Sequence, residues 1–292
     1  MILSCAVVML MLPLIGTHGV IEPLPGSSNR TFKVTLPETI FVLRIAQHTE
    51  ELGINRAQEL KYYQIGEKLT IAPQLLAANV DEQILVSRYV ENFNSLDKMH
   101  TAPMICKVVQ VIKLLHTYID NIMSPPITTM FEKNERIIAR AEELQVLSDY
   151  DRQLIYSWTQ TYQNFSDNYY DDTAMGICHG DLYYKNILED AQGTIYLIDW
   201  EYAGYGYIID ELGKLCAAND YTDEEIMLVV QEYYGDTDIT YFRKIKQNIF
   251  MRQVELYVWA LIQAACNPDR RSYYEEITTA VALQLNKLQE NI

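Results

Sequence analysis

The stretch that decides the fold runs from Ile177 to Gly204 and reads ICHGDLYYKNILEDAQGTIYLIDWEYAG. Asp181 lies five residues before Asn186, and Asp199 follows thirteen residues later, at the end of an apolar run. A loop carrying Asp181 and Asn186, followed by a hairpin through Gly193, would direct a proton acceptor and two oxygen ligands to one Mg²⁺ ion. A loop merely rich in turn-forming residues is the alternative. That alternative does not explain why all three polar residues flank apolar strand segments.

The loop from His179 to Asn186 resembles the H-G/N-D-x-x-x-x-N loop of the aminoglycoside phosphotransferase and choline/ethanolamine kinase superfamily. The segment IDWEYAGYGYIIDELGKL, residues 198–215, is similar to the choline kinase segment I-D-F-E-Y-A with a later Asp. Glu201 stands where an aminoglycoside kinase more often has Gly, so the resemblance favours small amino-alcohol substrates. It implies an α+β, protein-kinase-like fold of two lobes. Residues 1–90 would form a small antiparallel β-sheet lobe for the nucleotide, and residues 91–292 a larger, mainly helical lobe for catalysis and substrate.

The composition is that of a soluble globular protein. The 292 residues are 49% hydrophobic and 21% charged, which is enough for one large domain or two lobes sharing a cleft. A net charge of -16 argues against nucleic-acid binding, which needs a basic face. An acidic protein can instead attract a cationic small molecule. We therefore expect a small cationic substrate and a monomer or homodimer.

The five cysteines are scattered, odd in number and lack a Cys-x-x-Cys pair. This pattern indicates reduced thiols in the cytoplasm, with neither disulfides nor a zinc site. Cys178 lies beside the loop, where a packed thiol is favoured over a nucleophile. The apolar segment Met1–Ile15 has no Lys or Arg and is short for a membrane span, so it is predicted to be a buried helix rather than a signal peptide.

Residues 20–45 alternate in polarity and predict a small antiparallel sheet, with FVLRIA at 41–46 as its third strand. The resemblance implies that the turn between the first two strands covers the nucleotide phosphates. An ordinary hairpin turn is the equal alternative, because the segment is poor in glycine. The turn comprises Gly26, Ser27, Ser28 and Asn29.

Arg44 occupies the position at which protein kinases carry a phosphate-binding lysine, and choline-kinase-like proteins commonly have Arg there. A guanidinium can hold phosphate oxygens in a bidentate fork. Glu59, on a predicted helix that begins near Ile54, matches the family's ion-pair partner for this cation. Residues 87–92 (SRYVEN) are predicted to link the lobes, and the resemblance implies adenine contacts near Ser87 and Tyr89.

After Pro103 the apolar spacing becomes helical and predicts a C-terminal part built from helices. The predicted helices cover 104–119, 131–147, 151–165, 210–216, 223–234, 239–266 and 272–289.

The resemblance assigns a role to each residue of the loop and of the hairpin. Asp181 would orient the substrate hydroxyl and accept its proton, while Asn186 and Asp199 would hold Mg²⁺. Glu201 would touch a second metal or the substrate cation, or be structural. His179 would be a scaffold for the loop, and Asp210 would accept its backbone hydrogen bonds.

An ammonium group on the acceptor would favour aromatic faces on the C-terminal helices. Trp259 falls where choline-kinase-like proteins often place a cage tryptophan, with Tyr257 and Tyr202 as possible partners; a core position for Trp259 is the alternative. The sequence thus predicts an ATP- and Mg²⁺-dependent kinase of choline or ethanolamine, ahead of thiamine. An aminoglycoside phosphotransferase is the second interpretation. A nucleotide-binding pseudokinase with a regulatory role is the third, although neither the acid nor a metal ligand is missing.

Overall fold

The computed structural model describes residues 19–25, 29–47, 54–118, 128–165, 169–171 and 173–289. Their contacts divide the chain into two compact units, Met1–Asn94 with Ile187–Ala203, and Ser95–Asn186 with Gly204–Ile292. The predicted helix Met1–Ile15 and the turn residues Gly26, Ser27 and Ser28 lie outside the described residues.

The first unit contains the antiparallel sheet that the sequence predicts. Its strands follow the order β1-β2-β3-β5-β4, each antiparallel to its neighbours. Alternate side chains of the central strands form a buried cluster of Phe32, Val34, Phe41, Leu43 and Ile84. The strands are β1 (Val20–Leu24), β2 (Asn29–Thr35), β3 (Ile40–Ala46), β4 (Leu75–Asn79) and β5 (Ile84–Arg88).

One helix and one hairpin complete this unit. Helix α1 (Arg56–Lys68) begins at Asn55, whose side chain accepts a hydrogen bond from the Gln58 amide. The hairpin consists of β7 (Ile187–Glu189) and β8 (Ile195–Leu197). The boundary predicted after residue 90 would place this hairpin in the second domain. It groups with the first unit because its backbone bonds there, for example from the Leu197 amide to the Ile71 carbonyl at 2.6 Å.

The second unit is mainly helical, as predicted, with a small antiparallel pair of β6 (Met175–Cys178) and β9 (Gly204–Tyr207). The helices are α2 (Leu96–Met99), α3 (Ala102–His116), α4 (Met130–Glu143), α5 (Asp149–Gln163), α6 (Ile208–Ala218), α7 (Asp223–Tyr234), α8 (Ile239–Cys266) and α9 (Arg271–Gln289). The central helix α8 packs against α4, α6 and α9. In the part of the chain that the structure describes, no helix has both the length and the apolar character needed to cross a membrane.

Capping residues explain where several of these helices begin. Thr129, Ser148 and Thr222 each form a capping box, in which the side chain and a residue three positions later exchange hydrogen bonds with the backbone. Helix α7 ends at Gly235, which adopts a positive φ of 76°. The predicted bounds of α7 and α8 agree with the structure, since both begin directly after a capping residue.

Candidate active site

Asp199 is held in a constrained backbone conformation at the end of β8. Its φ of 68° and ψ of 64° lie in the left-handed region, which Asp tolerates better than most residues. The next residue, Trp200, is fully buried and donates from its indole nitrogen to the Leu197 carbonyl at 3.0 Å. This tryptophan opens a 3₁₀ turn, Trp200–Tyr202. The buried indole therefore fixes the turn that carries Asp199.

Arg44 joins Asp199 to helix α1. One terminal nitrogen donates to Asp199 Oδ1 at 3.1 Å, and the other donates to Glu59 Oε1. Burial lowers the pKa of Arg44, but the negative charges of Glu59 and Asp199 outweigh burial and raise it. The guanidinium thus stays charged. The structure brings together the pair that the sequence predicts, Arg44 and Glu59, and adds Asp199 to it.

Arg56, which the sequence analysis did not single out, extends this network. Its Nη1 atom lies 2.8 Å from Glu59 Oε2 and 3.0 Å from Glu201 Oε2. Asn29 also donates to Glu201 Oε2, at 3.1 Å. Two arginines and three carboxylates are therefore linked within the first unit. The local signal was an arginine three residues before a glutamate on one helix, a spacing that places both on the same face.

Glu201 and Asn29 also belong to this network. Glu201 is 8% exposed, and its Oε2 accepts from both Arg56 and Asn29. Of the predicted roles for Glu201, a second metal ligand, a substrate contact or a structural residue, these contacts support the structural one. Asn29 turns its amide towards the same carboxylate rather than outwards. Tyr202, on the same 3₁₀ turn, is 48% exposed.

The predicted linker begins later than the sequence indicates. Ser87 is buried within β5, and the strand continues through Arg88. The Tyr89 amide then donates to the Ile40 carbonyl at 3.2 Å. Pairing with β3 therefore extends β5 through Arg88, into the segment that was predicted to be the linker. Ser87 packs inside the sheet, and the Tyr89 N–H already has an acceptor.

In the second unit, Asp181 and Asn186 are linked side chain to side chain. The amide nitrogen of Asn186 lies 2.7 Å from Asp181 Oδ2 and 3.0 Å from the Asp181 carbonyl oxygen. Both contacts use the Nδ2 donor of Asn186, which leaves its Oδ1 as the atom suited to a cation. Asp181 is partly exposed, with 31% of its side chain accessible. The loop thus pairs a reachable carboxylate with an oriented amide.

Glu211, at the start of α6, fastens this loop. Its two oxygens accept from the backbone amides of His179 at 2.7 Å and Gly180 at 2.9 Å. Burial would raise the pKa of Glu211, but the hydrogen bond from His116, the charges of His116 and His179 and the Gly180 amide lower it to about 2. The carboxylate is therefore ionised at neutral pH and holds the backbone just before Asp181.

The prediction that Asp210 accepts the loop's backbone hydrogen bonds was wrong. Asp210 instead accepts from Asn248 Nδ2 at 2.7 Å and from the hydroxyls of Tyr169 and Tyr170. Consecutive helical residues point about 100° apart, so only one of the two acids faces the loop, and it is Glu211. Burial raises the pKa of Asp210.

Cys178 is a packed thiol, as the sequence analysis favoured. Burial and the nearby Glu211 carboxylate raise its pKa well above the usual value, which disfavours the thiolate. Ligand atoms of His116, Cys178 and Glu211 lie within 4.8 Å of one another. Both oxygens of Glu211 already accept hydrogen bonds from backbone amides, so hydrogen bonding explains why these three side chains lie together without a metal ion.

A second residue that the sequence analysis missed is Lys214, also on α6. Its ammonium group donates to the Gly180 carbonyl and lies 3.4 Å from Asp181 Oδ1. Lysine at this position carries no motif signal. Only the turn of α6, which presents Glu211 and Lys214 to the same side at a spacing of three residues, brings it to the loop.

The predicted aromatic residues separate. Tyr257 is buried, and its hydroxyl donates to Asp151 at 2.6 Å while its ring packs edge-on against Trp158. Trp259, two residues further along α8 and so on another face, is 38% exposed and packs edge-on against Tyr274. The structure therefore gives Tyr257 a role in helix packing and leaves Trp259 accessible.

The loop also carries two tyrosines, Tyr183 and Tyr184, to which the sequence analysis assigned no role. Tyr183 and Tyr184 pack edge-on with centroids 4.6 Å apart, and burial raises the pKa of Tyr183 to about 12, with contributions from Tyr184 and Tyr273. Tyr273 in turn contacts Tyr274, which contacts Trp259. We call these five rings, from the loop, α8 and α9, the aromatic cluster.

Each unit contributes an oxygen group of a type that suits a hard divalent cation. Asn186 Oδ1 and the Asp199 carboxylate are the oxygen ligands that Mg²⁺ prefers, and no thiol or imidazole needs to be involved. Asp199 is 26% exposed, which leaves part of its carboxylate accessible beside the Arg44 contact. Residues of these types fit the metal that the sequence predicts. That they share one ion stays a prediction.

Comparisons with known proteins assign the chain to a family. The sequence model of the choline/ethanolamine kinase family matches residues 21–252. Ethanolamine kinase 1 of Mus musculus is 24% identical over 274 residues, covering 78% of this chain and 71% of the mouse protein.

Solved structures show the same fold. A choline/ethanolamine kinase family protein of Mesorhizobium loti matches with a TM-score of 0.76 and 20% identity, over 95% of this chain and 90% of its own. Choline kinase of Streptococcus pneumoniae matches with a TM-score of 0.74 and 19% identity, over 98% of each chain. Spectinomycin phosphotransferase in complex with ADP and spectinomycin matches with a TM-score of 0.70 and 14% identity, over 100% of this chain and 99% of its own.

The fold is therefore that of the protein-kinase-like phosphotransferases, as the sequence predicts. The match to the family model extends over most of the chain and includes the loop at Asp181, the hairpin and the Arg44 network. The chain belongs to the choline/ethanolamine kinase family and is an ATP-dependent small-molecule kinase.

Proposed function

We propose that the protein transfers the γ-phosphate of ATP to the hydroxyl of a small cationic alcohol, choline or ethanolamine before thiamine. The observation that carries the proposal is the held carboxylate of Asp181. It is partly exposed, linked to Asn186 at 2.7 Å, and fastened through the backbone by Glu211. A general base needs this combination of access and fixed orientation.

In this mechanism Asp181 orients the acceptor hydroxyl and takes its proton. The acceptor oxygen forms a bond to the γ-phosphorus as the bond to the β–γ bridging oxygen breaks, and ADP leaves. Arg44, kept charged by Glu59 and Asp199, binds nucleotide phosphate oxygens. Asn186 and Asp199 would hold Mg²⁺, which supplies positive charge to the phosphate oxygens.

The aromatic cluster supports a cationic acceptor. Tyr183 and Tyr184 belong to the same loop as Asp181, and the ammonium group of Lys185 lies 5.8 and 5.7 Å from their ring centroids. These rings can therefore interact with a cation within the range of cation–π attraction. Tyr273 and Trp259 are exposed as well and extend the aromatic surface. We assign the acceptor's ammonium group to this cluster.

The test is ADP release by the purified protein with ATP, Mg²⁺ and a panel of choline, ethanolamine, thiamine and several aminoglycosides. We expect turnover with choline or ethanolamine that is at least tenfold higher than with any aminoglycoside. Turnover confined to aminoglycosides, or none with any acceptor, would refute the proposal. Tyr183→Ala should raise KM for the preferred acceptor about tenfold, as expected for loss of one cation–π contact, while Tyr150→Ala, at an exposed position on α5, serves as its control.

A further inference from the structure

Lys214 is the charged group of α6 that lies closest to the proposed base. Its ammonium group lies 3.4 Å from Asp181 Oδ1, and it also donates to the carbonyl of Gly180. Only 24% of the Lys214 side chain and 31% of the Asp181 side chain are exposed. Charges withdrawn from water to this extent interact more strongly than a surface pair.

The two oxygens of the Asp181 carboxylate therefore have different partners. Oδ2 accepts from the Asn186 amide at 2.7 Å, and Oδ1 faces the Lys214 cation. A carboxylate held at both oxygens cannot rotate freely about its last bond. The lone pairs that point away from the two partners then have one fixed direction.

Anchoring the loop backbone is not a sufficient explanation for Lys214. Glu211 already binds the amides of His179 and Gly180. The neutral amide of Asn219 also binds the loop, donating to the Leu182 carbonyl at 2.8 Å. What Lys214 adds is a positive charge beside Asp181. Burial lowers the pKa of Lys214, the charges of Arg252 and Lys133 lower it further, and the carboxylates of Asp181 and Glu255 oppose this change.

We propose that Lys214 is a positioning residue for phosphoryl transfer, whose ammonium group fixes the Asp181 carboxylate towards the acceptor hydroxyl. The inference rests on the proposed function, in which Asp181 is the base. Lys214 transfers no proton in this role and acts only through Asp181. Its removal should therefore slow the chemical step and leave nucleotide binding unchanged.

The test compares Lys214→Met, Lys214→Gln and Lys214→Arg by steady-state kinetics with the preferred acceptor. Met keeps the length of the side chain without charge, Gln keeps a donor without charge, and Arg keeps the charge. We expect kcat to fall about 10- to 100-fold in the Met and Gln variants, and by clearly less in the Arg variant. KM for ATP should stay within about twofold, because substrate binding does not involve Lys214.

Lys246→Met is the matched control. Lys246 is 23% exposed and pairs with Asp223 at 2.6 Å, so it resembles Lys214 in burial and in having a carboxylate partner. Its kcat should equal that of the wild type. Asp181→Asn combined with Lys214→Met should be no slower than Asp181→Asn alone, since the lysine acts through the aspartate.

Three results would overturn the inference. An unchanged kcat in Lys214→Met would show that the lysine does not position Asp181, but it would not contradict the proposal that Asp181 is the base. If the Met, Gln and Arg variants all lost the same fraction of kcat and all had the same decrease in thermal midpoint, the role of Lys214 would be structural. Retained turnover in Asp181→Asn would instead refute the proposed function itself, whatever the lysine variants do.

Discussion

At the scale of single residues, Asp181 and Asp199, the two acids proposed to act in catalysis, are oriented by different contacts. Asp181 is oriented by its side-chain partners, Asn186 and Lys214. Asp199 is oriented by its left-handed backbone, which precedes the buried indole of Trp200, and by the hydrogen bond from Arg44. Both arrangements limit the motion of a carboxylate before substrate arrives, which reduces the entropy lost on reaching the transition state.

Asp181→Asn should abolish phosphoryl transfer, because the amide cannot accept the acceptor's proton. We expect kcat to fall by at least 100-fold, while the Kd for nucleotide stays within about threefold. ADP release and nucleotide titration on the same preparation measure the two quantities. A variant that keeps more than a tenth of the wild-type kcat would contradict the assignment.

Glu59→Gln should destabilise the protein and weaken nucleotide binding. Glu59 is 3% exposed and accepts from both Arg44 and Arg56, so the substitution removes the buried carboxylate that the two guanidinium groups share. Removing one partner of a buried pair costs about 3 kcal/mol. Urea unfolding measures this loss, and Glu143→Gln, which breaks an exposed pair with Arg140, should cost under about 0.5 kcal/mol. Equal effects of the two substitutions would be inconsistent with the network.

Glu211→Gln should change how stability depends on pH. The pKa of Glu211 is lowered from 4.5 to about 2, so its ionised form stabilises the fold above pH 4.5, and that stabilisation is lost as the pH falls towards 2. This shift corresponds to about 3 kcal/mol. The variant should thus be less stable than the wild type at pH 6 and approach it as the pH falls. Unfolding free energies across this range that differ by a constant amount would disprove the assignment.

At the scale of elements, helix α6 serves three purposes through two faces. Asp210 binds the tyrosines that precede β6, Glu211 fastens the loop, and Lys214 lies beside Asp181. Close packing of α6 on α8 keeps these faces in register. A Cβ atom at Gly213 would lie 2.2 Å from Asn248 Oδ1, so only glycine lets the two helices approach this closely.

Gly66→Ala should destabilise the first unit. A Cβ atom at this position of α1 would lie 2.4 Å from Trp200 Cζ2, and the buried indole has no room to move. Overpacking costs about 1–3 kcal/mol, more than the roughly 1 kcal/mol that alanine gains in helix propensity. Thermal unfolding measures the change. The control, Gly206→Ala, meets only Cys178 Sγ at 3.6 Å and should be tolerated. A Gly66 variant as stable as this control would disprove the packing argument.

At the scale of the whole molecule, the dominant physical property is negative charge. The net charge of -16 is unfavourable for ATP, which is itself anionic, and favourable for a cationic acceptor. In the first unit, where the nucleotide is proposed to bind, the guanidinium groups of Arg44 and Arg56 are linked to three carboxylates. The proposed cationic acceptor can be attracted by the negative charge of the whole protein surface.

Added salt should lower kcat/KM for choline, measured with ATP at saturation. Raising the ionic strength from about 0.02 to 0.3 M shortens the screening length several-fold, and we expect a two- to fivefold decrease. A neutral isostere of choline, 3,3-dimethylbutanol, should show an inhibition constant that is nearly independent of salt. Similar salt dependence for the two compounds would argue against electrostatic attraction of the acceptor.

Much of this protein could be predicted from local patterns. The sheet and the helices α7 and α8 follow from alternation and capping residues, and the pairing of Arg44 with Glu59 follows from the resemblance to the choline kinase family. These signals act between residues that are close in sequence or belong to a recognisable motif. The extension of β5 through Arg88 could not be predicted in this way, because it depends on pairing with a distant strand.

The sequence by itself determined the order of Asp181, Asn186 and Asp199 and the types of element that carry them, since turn chemistry and apolar periodicity are written locally. The tertiary structure decided which neighbour of each motif takes part. It selected Glu211 over Asp210 as the anchor of the loop, brought Lys214 to Asp181, and turned Tyr257 inwards while leaving Trp259 exposed. The physical reason is the rotation of about 100° per residue in a helix. A helix must be packed before it is known which of its polar side chains faces the site.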